Sequence, residues 1–291
     1  MLKKIYSHLL LSVVIALVMV LAGCGTEDKT NTNSNTSANT NISSNAPAES
    51  IVEPSEEPVQ TVELTISAAA SMTDALNDIQ KEFETANPSI KLNFNFGASG
   101  ALQQQIEQGA PADLFLSAAV KNMTALVDKQ LIDSSQQINL LSNELVVVVP
   151  NDAASVIEKM EDLTKKEVKT VAIGIPESVP AGNYAKEALT NVKLWDTLQK
   201  KSVQAKDVRQ VLQYVESGNA DAGFVYKTDA LTSDKVKVVF AVDPTAYTSI
   251  EYPIGIVKAT KHMEEAEKFY TYLQSQEALD VFIKYGFSVS K

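Results

Sequence analysis

Ser99, in the stretch Gly97-Ala98-Ser99-Gly100-Ala101, has glycines around it, yet the spacing misses the G-x-S-x-G of a nucleophile elbow. A serine nucleophile also needs a base. The chain of 291 residues has two histidines, His8 and His262. His8 falls in a segment that reads as a removable leader, and His262 opens a C-terminal helical pattern, where a solvated helix-end imidazole is expected. One imidazole and one thiol, Cys24, supply a transition-metal site poorly. Neither a P-loop nor a dinucleotide glycine fingerprint occurs. The inventory argues against an enzyme.

Four loops offer a different chemistry. "AAASM" with Ser71, "GASGA" with Ser99, "VPAGN" with Ala181 and "AKDVR" with Val208 each lead into an amphipathic pattern through small or capping residues. A first helical turn carries N–H groups without backbone partners and the positive end of the dipole, so a small-residue entry lets an anion reach those amides. Each loop also has a purely structural reading. Ser71 and Asp74 have capping-box spacing, Ser99 suits a cap, and Asp207 suits the N-cap of a helix beginning at Val208. Spacing alone does not bring the four loops together. Arg209 is the sole arginine and is expected to be solvated in the first turn of its helix. Bidentate guanidinium recognition is then nearly unavailable, and a buried anion would rest on neutral dipoles.

The elements that carry these loops alternate between strand and helix. "VELTIS", "KLNFNF" and "DLFLSA" read as strands, with helical spacing after each: Met72, Leu76, Ile79 and Phe83; then Leu102 and Ile106; then Met123, Leu126 and Val127. A second series starts with "LVVVVP" at 145 to 150. It continues through an expected helix near 153 to 161, the strand "VAIGI", a helix from Ala181 to about Asn191, an amphipathic run over Val208, Val211, Leu212 and Val215, and the strand "AGFVY" that ends at Tyr226. "YPIGIV" precedes two closing helices, 261 to 275 and 277 to 285. The fold class is α/β, with helices on the faces of the sheets.

Before the first strand, Lys3 and Lys4 precede an apolar run from Leu9 to Ala22 that reads as an export signal. It ends in Leu21-Ala22-Gly23-Cys24, which resembles a bacterial lipobox, so residues 1–23 are expected to be a signal peptide and Cys24 the lipidated mature N-terminus. Cys24 has no disulfide partner in the chain. Residues 24–60 are rich in Thr, Asn and Ser, cannot bury enough apolar surface to offset ordering entropy, and form a tether. The formal net charge of −11 becomes more negative when the leader lysines leave. Nucleic acid is therefore an improbable partner, and any anion site must work through local donors.

Taken together, "AAASMTDAL", "FGASGALQQQIEQGAPADLFLSA", "VPAGNYAKEAL", "DVRQVLQYVESGNADAGFVYKTDA" and "YPIGIV" resemble the periplasmic molybdate-binding proteins of ABC importers, in order and across 61 to 291. The resemblance implies a periplasmic binding protein type II fold, two α/β lobes joined by a hinge with the ligand in the cleft and the last helices returned to the first lobe. Residues 61–144 plus 248–291 would form lobe I and 145–247 lobe II. The implied oxyanion ligands are the hydroxyls and amides of Ser71 and Ser99, the amides of Ala181 and Val208, and the phenol of Tyr226. They would hold molybdate or tungstate as an oxyanion, with no metal-ligating side chain and no cofactor. The implied partners are an ABC permease and, through Cys24, the extracytoplasmic face of the cell membrane; a monomer is expected. Donor-only lining favours fully deprotonated molybdate, tungstate or sulfate over phosphate, and cavity size must choose among the three. A receptor for sulfate or another oxyanion, an enzyme on the same fold, and a surface adhesion or sensory protein are the rival readings.

Overall fold

The computed structural model describes residues 61–290 apart from Ser155, so the leader 1–23, Cys24 and the tether lie outside the described residues. The first half of the chain runs β1 (Val62–Ala69), α1 (Thr73–Ala86), β2 (Ile90–Gly97), α2 (Ser99–Glu107), β3 (Leu114–Leu116), α3 (Val120–Asp128), β4 (Ile132–Ser142) and β5 (Leu145–Pro150). It continues through β6 (Val171–Gly174), α4 (Pro180–Asn191), α5 (Trp195–Leu198), β7 (Ser202–Ala205), α6 (Val208–Glu216), β8 (Ala222–Tyr226), α7 (Lys227–Ala230) and β9 (Val236–Ala241). β10 (Glu251–Val257), α8 (Met263–Tyr272), α9 (Gln276–Lys284) and β11 (Ser288–Val289) complete it.

The strands form two sheets. The first has the order β11-β4-β10-β3-β1-β2 and the second the order β7-β6-β8-β5-β9. β1 lies between β3 and the edge strand β2 and is parallel to both; β6 is parallel to β7 and β8. Such strands are covered on both faces, and Leu64, Ile66, Leu114, Leu116, Ala172 and Phe224 are accordingly buried. The chain passes between the sheets twice, from β4 to β5 and from β9 to β10, which gives the two-lobed α/β architecture of a type II binding protein.

The closing helices do return to the first sheet. The rings of Phe269 on α8 and Phe83 on α1 meet edge to face at 4.9 Å, and the Tyr285 hydroxyl after α9 donates to the Asp78 carboxylate at 2.6 Å. Burying each such aromatic contributes about 1.5 to 3 kcal/mol.

The helix expected near 153 to 161 is not formed. A 3-10 turn at Met160–Thr164 follows irregular chain instead. There the Asp162 carboxylate accepts the Glu158 N–H at 3.0 Å and the Lys165 ammonium donates to the Val156 carbonyl at 2.8 Å. These side-chain bonds satisfy the backbone without an α-helical ladder.

Candidate functional site

Parallel strands deliver their carboxyl ends to one place, where α/β folds commonly bind ligands. β1 ends at Ala69-Ala70-Ser71, β2 at Gly97-Ala98-Ser99, and the chain past β3 supplies Ala118. From the second sheet come Val179-Pro180-Ala181 beyond β6, Val208 beyond β7, and Tyr226 at the end of β8. These residues enclose a small, tight cavity of about 10 Å³ between the two sheets. Ser71, Ser99, Ala181, Val208 and Tyr226, all five expected from the sequence, line it. No charged residue does so. A far wider surface groove past Lys121 and Glu187 holds none of the five.

Each donor owes its direction to its element. Ser99 is the first residue of α2, Val208 the first of α6, and Ala181 follows Pro180 at the start of α4. Their amides consequently have no partner within their own helices. The entry to α4 needs its glycine, because a Cβ at Gly182 would lie 1.9 Å from the Gly174 carbonyl oxygen of β6. Asp207 caps α6 as expected, its carboxylate accepting the Gln210 N–H at 2.8 Å.

The two serines are not caps. α1 begins with Met72 as N-cap and without a side-chain cap bond, so the Ser71 and Asp74 capping box does not form. Ala98 occupies the N-cap of α2. The Ser99 Oγ instead accepts the Ala118 N–H at 2.9 Å, leaving its proton to seek an acceptor. Ser71 Oγ lies 2.9 Å from the Tyr252 hydroxyl.

Tyr226 is 1% exposed, and its hydroxyl has no hydrogen-bond partner among the described residues. Burial first, and then the neighbouring Tyr252, push its pKa well above the usual phenol value. Burial does the same to Tyr252. Both phenols therefore stay protonated and able to donate.

Arg209 corrects another expectation. Its side chain is only 22% exposed, and it joins the lobes: Nη2 lies 2.5 Å from the Asp74 carboxylate at the start of α1, and Nε lies 2.7 Å from the fully buried Asp229 carboxylate on α7. Nη1 donates to Thr232 Oγ1 at 3.0 Å. Asp229 in turn accepts the Tyr226 N–H at 3.3 Å. Burial raises the Asp229 pKa to about 6 against the pull of Arg209. The guanidinium thus fastens the elements that carry Ser71, Val208 and Tyr226 while staying outside the cavity lining.

Three further bonds cross the cleft. Gly100 N–H donates to the Ser178 carbonyl at 3.0 Å, Tyr184 hydroxyl to the Ala118 carbonyl at 3.4 Å, and the Lys121 ammonium to Asn183 Oδ1. A Cβ on Gly100 would lie 2.6 Å from the Ser178 oxygen, so this approach admits glycine alone. The arrangement is a small, uncharged set of dipoles contributed from both sides of the cleft, suited to a small anion. Among the described residues no cluster of His, Cys, Asp and Glu could hold a metal ion, and no helix is long and apolar enough to cross a membrane. Sequence reading did not single out Tyr252 or Asn143 beside Ser71; the signal available was the tyrosine in "YPIGIV".

The family model of bacterial extracellular solute-binding proteins matches residues 64–288. YvgL of Bacillus subtilis (strain 168), provisionally named an ABC transporter substrate-binding lipoprotein, is 53% identical over 223 residues, which is 77% of this chain and 85% of that one. The molybdate-binding protein ModA of Escherichia coli (strain K12) is 40% identical over 231 residues, 77% of this chain and 88% of ModA. Among solved structures, the substrate-binding domain of a provisionally assigned molybdenum ABC transporter from Clostridium difficile is 46% identical with a TM-score of 0.62, covering 79% of this chain and all of that one. The fold, the cavity of converging donors and these similarities agree: the chain belongs to the family of bacterial extracellular solute-binding proteins.

Proposed function

We propose that this protein captures molybdate, and tungstate as well, in the cavity between its lobes and hands it to an ABC-type permease. The family binds solutes and does not catalyse. The observation that carries the ligand class is the buried Tyr226 hydroxyl, which among the described residues has no partner and lines a cavity without charged residues, together with Ser71 and Ser99. A buried polar group without a partner costs about 1 to 3 kcal/mol, and a bound oxyanion removes that cost. In this reading the Ser71 and Ser99 hydroxyls and amides, the Ala181 and Val208 amides and the Tyr226 phenol surround the four oxygens. Hydrogen bonds to a charged acceptor are the strong ones, and they are stronger still where water is excluded. The ligand needs no metal-binding side chain, because molybdate arrives with its metal already inside an oxygen shell.

The lobes of this reading are 61–144 with 248–291, and 145–247; the placement of β5 to β9 in the second sheet supports that division. Cys24 would hold the chain as a lipid-anchored monomer on the extracytoplasmic face of the membrane, a reading supported by the lipoprotein name of YvgL. Calorimetric titration of the full-length protein in detergent with molybdate, tungstate, sulfate and phosphate tests the function. Tight binding of the first two and weak binding of the last two is expected. Tighter binding of sulfate than of molybdate, or no oxyanion binding at all, overturns the proposal.

A further inference from the structure

A chain of hydrogen bonds runs behind Ser71. It begins at Asn143, in the segment where the chain passes from the first sheet to the second. The Asn143 Oδ1 accepts the Glu144 N–H at 2.9 Å, which settles which end of the amide faces which way. The amide nitrogen therefore points inward, donating to Thr228 Oγ1 at 2.9 Å and to the Tyr252 hydroxyl oxygen at 3.2 Å. An amide N–H₂ can only donate. The Tyr252 oxygen, being an acceptor there, must place its single proton elsewhere. Tyr252 is fully buried, and Ser71 Oγ at 2.9 Å is its partner on the other side. Donation from Tyr252 to Ser71 is the arrangement that pairs this proton across the 2.9 Å contact, and it leaves the Ser71 hydroxyl proton to point into the cavity.

We infer that Asn143 and Tyr252 are specificity-determining positioning residues: acting through Ser71, they hold its hydroxyl as an obligate donor and so exclude anions that carry a proton. The inference rests on the oxyanion reading above. An anion such as monohydrogen phosphate has an O–H that needs an acceptor. Facing Ser71, that O–H meets another donated proton and goes unpaired. Sulfate has nearly the same size and the same double charge as monohydrogen phosphate, but no proton. Phosphate compared with sulfate isolates the proton from size and charge.

Two substitutions alter the chain differently. Tyr252→Phe removes the donor to Ser71 and frees its hydroxyl to rotate. Asn143→Asp reverses the chain: a carboxylate can only accept, so Tyr252 donates to it, Ser71 donates to Tyr252, and the Ser71 lone pairs turn toward the ligand. The added negative charge weakens both dianions alike and cancels in their ratio.

The experiment is competition of phosphate and of sulfate against bound molybdate, in mildly alkaline buffer, on the full-length protein in detergent. The expected result is that phosphate gains on sulfate by about tenfold or more in both variants, the worth of one matched buried hydrogen bond. If either variant fails to fold, as judged by its melting transition without ligand, the other decides. A phosphate-to-sulfate ratio unchanged from wild type, even with weakened molybdate binding, reduces Tyr252 and Asn143 to packing and overturns this inference alone. Absence of molybdate binding by the wild-type protein overturns the oxyanion reading and this inference with it.

Discussion

Replacing Gly100 by alanine separates closure from ligand contact. Gly100 lies one residue inside α2, with Ser178 of the other lobe against it, and the new Cβ would sit 2.6 Å from the Ser178 oxygen and 2.9 Å from its Cα. Ordinary contact begins near 3.4 Å, so the lobes must part by roughly 0.8 Å at this point, where the obstructing atoms are backbone and cannot rotate away. The same movement stretches the 3.0 Å bond from Gly100 N–H to that carbonyl. Overpacking of this kind costs about 1 to 3 kcal/mol, which lowers molybdate affinity by roughly ten- to a hundredfold. With the lobes parted the clash is absent, and there alanine is about 1 kcal/mol better than glycine in a helix interior. Calorimetry gives the affinity, thermal denaturation the stability, and small-angle scattering with and without molybdate the compaction. Wild-type affinity and wild-type compaction in Gly100→Ala would refute the reasoning that this approach limits closure over the ligand.

Tyr226→Phe keeps the ring and loses a buried hydroxyl that has no partner among the described residues, so molybdate affinity should fall by about one to two orders of magnitude; calorimetry at wild-type affinity removes Tyr226 from the site. Asp229 has a pKa raised from 3.8 to about 6 by burial, so the folded state holds its proton where the unfolded state has lost it, and stability should decline as pH rises between those two values. The groups facing it are Arg209, Asp74, Asp207 and the phenols of Tyr226 and Tyr252. Asp229→Asn should flatten that slope in denaturant titrations at several pH values, and an unchanged slope assigns it to another group. Cys24→Ala should abolish fatty-acid labelling and shift the protein out of the detergent phase; retained label refutes the lipobox reading.

The strands with a clean apolar pattern, such as Val62–Ala69 and Ala222–Tyr226, were legible in the sequence, as was the entry of each helix that meets the cavity. β4 was not. Its stretch "IDSSQQINLLS" owes its strand state to pairing with β10 and β11, which no local period announces. The same limit applied at the site. Ser99 could be read as a cap or as a ligand because the Ala118 N–H that occupies its oxygen comes from a separate strand end. Arg209 looked solvated because its two carboxylate partners belong to α1 and α7, one of them 135 residues away. Local chemistry marks where donors can be, and the distant partners that aim them depend on the fold.

The alanine lining has a consequence for how such a pocket changes over generations. In the proposed site Ala181 and Val208 would meet the ligand through main-chain N–H groups, which no ordinary side-chain replacement deletes; only proline takes one away. Substitution at Ala69, Ala70, Ala98, Ala118 or Ala181 therefore edits room while sparing the hydrogen-bonding pattern. In the proposed site, replacing these alanines would re-size the pocket, whereas removing a side-chain donor requires a change at Ser71, Ser99 or Tyr226.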